Sequence, residues 1–206
     1  MTFRLGLIVN PIAGMGGTVG LKGSDTPEIV ARARELGAEP QAPERASQAL
    51  GTIVTANVAL ELFAAAGEMG EAEARAAGFT PEVVGSCIEG GTAAEDSIRA
   101  AEAMAMLPVD LILFAGGDGT ARDLVSAIDG KVPVVGIPAG VKMHSAVYAT
   151  NPRAAARMVL RYMQGGISLR ELEVMDIDEE AFREGAVSAK LYGYLNVPYL
   201  PDLFQG

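Results

Sequence analysis

An apolar run that stops abruptly at a glycine-rich turn constrains the fold of this chain more than any other feature. Residues 109–115 read VDLILFA, and residues 116–120 read GGDGT. A run this apolar predicts a strand buried on both faces, which is typical of a parallel sheet. Open α/β sheets bind their ligands beyond the carboxyl ends of such strands. The sequence therefore predicts a ligand site at residues 116–120.

Two further predicted strands end in turns of the same kind. Residues 3–9 lead into Asn10-Pro11 and a loop rich in glycine, and residues 132–137 lead into 138–140 (PAG). In a parallel sheet the three turns lie at one edge, where glycines let backbone N–H groups approach a phosphate closely. We expect the three turns to converge on one polyphosphate.

The first loop, residues 11–24, matches neither standard nucleotide-binding loop. Gly14 and Gly16 would require a glycine or alanine at position 19 for the Rossmann fingerprint, but Val19 stands there. The loop also lacks the Gly-Lys-Ser/Thr end of a Walker motif. Its glycine content predicts a shaped turn facing the binding crevice, with a flexible linker as the alternative.

Helical and strand-like segments alternate along most of the chain. Over residues 1–165 this rhythm predicts a nucleotide-binding α/β domain, a Rossmann-like layered parallel sheet with helices on both faces. Residues 166–206 alternate polar and apolar residues and predict the start of a second, mostly β domain that is incomplete. The remaining predicted strands cover 58–63 and 81–86. Four predicted helices cover 27–36, 44–50, 71–77 and 153–164. Two more are predicted, one that ends near residue 107 and one that begins after Gly119.

Capping patterns mark three of the predicted helix starts. Thr26 precedes a proline, which suits the first helical position. Thr92 and Glu95 have the spacing of a capping box, and Asn151 also precedes a proline. We expect helices to begin at these points.

Composition excludes several classes of partner. The chain has 26 acidic and 16 basic residues and a net charge of −10, whereas nucleic acids and anionic membranes require a basic surface. One cysteine, Cys87, and one histidine cannot build a metal cluster, and we expect Cys87 to be buried in a reducing compartment. No apolar stretch approaches the ~18 residues of a membrane span. We predict a cytoplasmic protein without nucleic-acid or membrane partners.

The three turns together resemble a known superfamily. GGDGT at 116–120 is the signature shared by NAD kinases, diacylglycerol and sphingosine kinases and the 6-phosphofructokinase fold. With VNPIAG at 9–14 and GIPAGVKMHSA at 136–146, the chain looks most like the ATP-NAD kinase-like proteins that include the acetoin-catabolism protein X group. The resemblance covers most of residues 3–165.

The resemblance implies phosphoryl transfer from ATP with Mg²⁺ to a hydroxyl, foremost the ribose 2′-OH of NAD, which gives NADP. Asp118 would orient or deprotonate the acceptor hydroxyl and help organise Mg²⁺; the alternative is that Asp118 only forms the turn. No dedicated metal ligand is assigned. The candidate nucleotide-binding residues are Asn10, Pro11, Gly14, Gly16, Gly17, Gly116, Gly117, Gly119, Thr120, Asp123, Gly140, Lys142 and His144.

Several positions depart from the pattern of the family. Lipid kinases follow GGDGT with an Asn-Glu pair where this chain has Arg122-Asp123, so Asp123 either replaces the acid or faces solvent from the first turn of a helix. The second Asn-Glu motif of NAD kinases is not found. Lys142 and His144 either supply positive charge against phosphate or have surface and packing roles.

Other functions stay open from the sequence. The alternatives are a nucleotide-binding or regulatory protein without catalysis, and a kinase of a lipid or another small alcohol. In NAD kinases an all-β C-terminal domain completes the nucleotide site, and residues 166–206 could supply only its beginning. We therefore expect an incomplete acceptor pocket and exposed strand edges, and from these a homo-oligomer or low stability.

Overall fold

The computed structural model describes residues 2–21, 27–86, 94–140, 142–177 and 189–204. Three predicted features, the cap at Thr26, the buried Cys87 and the capping residue Thr92, lie outside these ranges. The cap at Asn151 is confirmed, because its side chain accepts a hydrogen bond from the amide of Ala154 (2.9 Å).

Within the described ranges, five parallel strands form one sheet in the order β3-β2-β1-β4-β5. From β1 the chain builds β2 and β3 on one side and then returns to add β4 and β5 on the other. The strand order therefore reverses between β1 and β4, which is where open α/β sheets leave a crevice for ligands. The strands are β1 (Phe3–Val9), β2 (Leu60–Ala65), β3 (Glu82–Val84), β4 (Leu111–Gly116) and β5 (Val134–Pro138).

Helices cover the sheet in two layers, as the α/β prediction requires. In the order of the chain they are α1 (Met15–Thr18), α2 (Pro27–Glu35), α3 (Ala42–Thr55), α4 (Glu71–Ala76), α5 (Ala94–Ala105), α6 (Asp118–Ile128) and α7 (Pro152–Met163). The helices α3, α4 and α7 pack in one layer, and α5 and α6 pack in the other. Within the described ranges, no helix combines the length and the apolar character needed to span a bilayer.

The central strand β4 confirms the strand predicted from its apolar run. All six of its residues are buried, and β1 and β5 lie on either side of it in parallel register. Burial on both faces explains why the run has no polar alternation.

Three predicted segments differ from the structure. The glycine-rich loop contains a one-turn helix, α1, which follows Gly14 in a left-handed conformation (φ 86°). Helix α3 extends well beyond the predicted 44–50, because its buried positions continue at helical spacing to Ile53. Strand β2 is shifted toward the carboxyl end of the predicted 58–63, since Val58 is exposed and Ala65 is buried.

A second, antiparallel sheet follows the main domain and confirms the predicted change of architecture. It consists of β6 (Leu169–Ile177) and β7 (Ala189–Pro198), with a register shift between Val174 and Met175. This sheet packs against α6 and β5. Its buried residues Val174, Leu195 and Val197 belong to the same apolar core as the main sheet. Two short 3-10 helices, Gly67–Met69 and Pro201–Leu203, complete the described elements.

Candidate active site

The turns after β1, β4 and β5 converge at one edge of the sheet, as predicted. The amide of Asn10 donates to the carbonyl of Ala115 (2.9 Å), and the amide of Ala139 donates to the carbonyl of Gly116 (2.9 Å). Each outer turn is thus tied to the end of the central strand β4. The three turns form a continuous backbone floor around the point where the strand order reverses.

The side chain of Asn10 joins the first turn to α6. Its amide nitrogen donates to the hydroxyl of Thr120 (3.0 Å), and its amide oxygen accepts from the backbone N–H of Ile12 (3.2 Å). The buried Thr120 also packs over Gly116, where an added Cβ would lie 2.4 Å from the threonine hydroxyl. Only glycine fits at position 116.

The glycine-rich loop lies directly against the third turn. A Cβ on Gly14 would lie 2.2 Å from the carbonyl oxygen of Ala139. Pro11 is buried. Gly16 and Gly17 lie inside α1, and Gly17 is exposed to solvent. The contact at Gly14 makes the first loop one wall of the crevice.

Asp118 is the first residue of α6 and connects the second turn with the third. The residue is only 9% exposed. One carboxylate oxygen accepts from the amide of His144 (2.8 Å), and the other accepts from the amide of Ser145 (3.0 Å). The two bonds hold the carboxylate in a single orientation. A carboxylate has about four lone-pair positions, so each oxygen keeps one for a further partner.

Gly117 presents an open surface next to Asp118. A Cβ at this position would meet no heavy atom within 4 Å, and the residue is half-buried with an extended backbone. The hydroxyl of Tyr148 donates to the carbonyl of Gly117 (2.5 Å) from the interior. The backbone of Gly117 is therefore anchored on one side and free on the other. Gly119, in the first turn of α6, is also half-buried.

The buried Tyr148 experiences the negative charge of three acidic side chains. Burial raises the pKa of Tyr148 well above its ordinary value, and the negative charges of Asp118, Asp176 and Asp123 raise it further. The tyrosine therefore stays a neutral hydrogen-bond donor. It supports the turn from below without adding charge.

Asp123 is buried, so the alternative that it faces solvent is wrong. Its carboxylate lies 4.0 Å from Arg122, which also forms an ion pair with Asp176 of β6 (2.9 Å). Burial alone would lower the pKa of Arg122, but the carboxylates of Asp176 and Asp123 outweigh that effect and raise it. Arg122 thus links α6 to the second sheet through Asp176.

The remaining predicted residues lie in the third turn. Gly140 packs against Met143, where an added Cβ would lie 2.6 Å from the sulfur. Lys142 is exposed, and His144 is half-buried and reaches Asp118 through its backbone amide. The described hydrogen bonds therefore bring His144, and not Lys142, to the central carboxylate.

Three residues at this edge were not predicted as site residues. Ser145 and Tyr148 lie in or just after the 136–146 stretch, but nothing local marks them as partners of residues 117 and 118. Arg45 donates from Nη1 to the carbonyl of Pro138 (2.6 Å), across 93 positions of sequence. Arg45 could have been predicted here only with the knowledge that α3 begins at the edge of the sheet where the three turns meet.

The chain matches the model of a known family. The profile described as the ATP-NAD kinase N-terminal domain matches residues 5–167, which run from within β1 to beyond the end of α7 and include all three turns. A comparison with the curated proteins found no match. The match takes in most of the chain and ends before β6. By this match and by its fold, the chain belongs to the ATP-NAD kinase N-terminal domain family.

Proposed function

We propose that the chain transfers a phosphoryl group from ATP to the ribose 2′-OH of NAD at the crevice between β1 and β4, giving NADP. The family supports kinase-like phosphoryl transfer between small nucleotide substrates. The observation that carries the proposal is the placement of Asp118. Its oriented carboxylate stands where the strand order reverses, beside the open backbone of Gly117.

The proposed reaction depends mainly on positioning and charge neutralisation. The backbone of Gly117 and Gly119 would receive the ATP phosphates at the start of α6, where N–H groups are not used within the helix. The acceptor oxygen forms a bond to the γ-phosphorus, and the bond between that phosphorus and the oxygen of ADP breaks. The hydroxyl proton passes to Asp118, which has an acceptor position left on each oxygen.

Mg²⁺ would bind at this site only if its ligands came from both the protein and the substrate phosphates. Within the described ranges, no three His, Cys, Asp or Glu side chains are grouped to hold a metal. Mg²⁺ commonly binds through one or two carboxylates together with substrate phosphates. Asp118 would supply the carboxylate, and the ion would neutralise charge on the phosphates.

A coupled assay for NADP tests the proposal. We expect NADP formation by the wild type with ATP and Mg²⁺, and a loss of about 10²-fold or more in kcat for Asp118→Asn, because the variant cannot accept the proton. Asp129→Asn is the matched control, since Asp129 is exposed at the other end of α6 in a left-handed conformation that asparagine tolerates. Equal rates in Asp118→Asn and the wild type would remove Asp118 from the mechanism. No NADP from the wild type would rule out NAD as the acceptor.

Nucleotide binding without transfer is the second candidate function. It is favoured by one observation, namely that both oxygens of Asp118 already accept hydrogen bonds from the protein. Such a carboxylate is well suited to fixing the third turn. Calorimetry that detects ATP and NAD binding, together with no turnover of any alcohol acceptor, would select this function.

A further inference from the structure

We propose that Tyr148 is a positioning residue of this site, whose hydroxyl holds the peptide between Gly117 and Asp118 so that the amide of Asp118 faces the phosphates of the bound nucleotide. The inference rests on the proposed function for the identity of the ligand. It assigns a role in phosphate binding to a fully buried side chain that lies outside the three turns.

The direction of the Asp118 amide follows from the peptide that contains it. The carbonyl oxygen of Gly117 accepts from the hydroxyl of Tyr148 (2.5 Å) and from the amide of Ala121 (3.2 Å). Among the described residues every peptide bond is trans, and a planar trans peptide points its C=O and its N–H in opposite directions. The amide of Asp118 therefore points away from Tyr148 and out of the start of α6.

The first amides of α6 are available to a ligand. Among the described residues, no group accepts a hydrogen bond from the amides of Asp118, Gly119 and Thr120, and Gly117 has no side chain to cap them. Such amides favour an anion, because they lack partners within the helix and carry the positive end of its dipole. A Cβ at position 117 would meet no heavy atom within 4 Å, so a phosphate has room beside the amide of Asp118.

The hydroxyl of Tyr148 is the stronger of the two restraints on this peptide. Gly117 restrains it little, because glycine lacks a Cβ and its backbone rotates freely. The bond from Ala121 is at the long end of the normal range for N–H donors, whereas the bond from Tyr148 is at the short end of the range for O–H donors. Loss of the hydroxyl would let the peptide turn.

The protein fixes Tyr148 in place as a neutral donor. Its ring lies 5.3 Å from that of Phe114, measured between centroids, and over Gly136, where an added Cβ would lie 2.5 Å from the ring. Burial raises the pKa of Tyr148, so the hydroxyl keeps its proton. Hydrogen bonds that form a chain through a peptide strengthen one another. Donation to the carbonyl of Gly117 therefore makes the amide of Asp118 a better donor to phosphate.

Calorimetric titration of Tyr148→Phe and the wild type with ATP, inorganic pyrophosphate and adenosine tests the proposal. The variant keeps the ring and removes only the hydroxyl. We expect about three- to tenfold weaker binding of ATP and pyrophosphate, and unchanged affinity for adenosine, which has no phosphate. Tyr162→Phe is the matched control, because Tyr162 packs its ring against Phe3 and its hydroxyl experiences the charge of Asp110, before the start of β4. It should bind all three ligands like the wild type.

Steady-state kinetics distinguish positioning of the phosphate from support of the carboxylate of Asp118. A contact that holds the phosphate equally in the ground state and the transition state affects KM and leaves kcat nearly unchanged. We expect Tyr148→Phe to raise KM for ATP in this way in the NADP assay. A lower kcat at unchanged KM would show that Tyr148 acts on the carboxylate instead, which contradicts the inference.

The outcomes separate this inference from the proposed function. Equal affinity of Tyr148→Phe and the wild type for ATP and pyrophosphate, or equal weakening for adenosine, would overturn the inference. Thermal unfolding of each variant shows that weaker binding is not a loss of folding. Weaker binding of ATP and pyrophosphate to Tyr148→Phe, with no NADP formed by the wild type, would uphold the role of Tyr148 and refute NAD as the acceptor. A wild type that binds neither ATP nor pyrophosphate refutes both.

Discussion

At the scale of single residues, Gly14 and Gly136 are among the glycines where another group occupies the space of a side chain. Gly136 lies in the middle of β5, where a Cβ would be 2.5 Å from the ring of Tyr148. Gly14 combines a close contact with the carbonyl of Ala139 and a φ of 86°, which L side chains rarely adopt. A backbone carbonyl cannot move aside as a flexible side chain can. Gly14 is therefore the more demanding position of the two.

We expect Gly14→Ala to lower the free energy of unfolding by about 1–3 kcal/mol, because of backbone strain and the contact with Ala139. Gly51→Ala is the matched control. Gly51 lies in α3, where a Cβ would meet nothing within 4 Å, and alanine should stabilise the helix there by about 0.5–1 kcal/mol. Urea unfolding measures both changes. A Gly14→Ala protein as stable as the wild type would show that the first loop can move away from the third turn.

At the scale of elements, the loop between β5 and α7 holds the two sheets together. It binds α6 through Asp118 and the free edge of β6 through Ser145. The hydroxyl of Ser145 donates to the carbonyl of Met175 (2.8 Å) and accepts from its amide (3.0 Å), beside the register shift of β6. The amide of Ala146 donates to the carbonyl of Glu173 (2.9 Å). The loop thus covers an edge that would otherwise expose unpaired backbone groups.

Ser145→Ala should cost about 1–3 kcal/mol of stability, because both backbone groups of Met175 lose their partner. It should also speed hydrogen exchange at the amide of Met175, a readout specific to this contact. Ser47→Ala is the control, since the exposed Ser47 donates to the carbonyl of Pro43 within its own helix and its loss should be nearly neutral. Unchanged exchange at Met175 in Ser145→Ala would mean that the edge of β6 is held by other contacts.

At the scale of the whole molecule, one apolar core supports the three turns and the carboxylates that act on Tyr148. The side chains of both sheets join that core, and Tyr148 is fully buried in it with its hydroxyl against Gly117. The surrounding carboxylates belong to α6 and β6. Stability at high pH therefore depends on a residue that connects the core to the candidate site.

Alkaline unfolding tests this dependence. Because burial, with the nearby aspartates, raises the pKa of Tyr148 in the folded state, the folded protein keeps a proton that the unfolded chain releases above about pH 10. Its contribution is complete below that pH and falls by about 1.4 kcal/mol per pH unit above it. Tyr148→Phe should unfold with a shallower alkaline slope, whereas Tyr194→Phe, at an exposed ring, should keep the wild-type slope. Denaturant unfolding between pH 8 and about 11.5 measures the slopes, and equal slopes for the wild type and Tyr148→Phe would contradict the assignment.

The sequence alone determined the parallel sheet, the convergence of three turns and the place of residues 116–120, because each follows from a local pattern. An apolar run indicates burial on both faces, a glycine cluster indicates a turn, and parallel strands end at one edge. Only the tertiary structure decided which groups meet at that edge. The bonds from Asp118 to the amides of His144 and Ser145 span 26 and 27 positions, and the bond from Arg45 to Pro138 spans 93. Such contacts depend on the path of the chain through whole helices and strands, which no local pattern encodes.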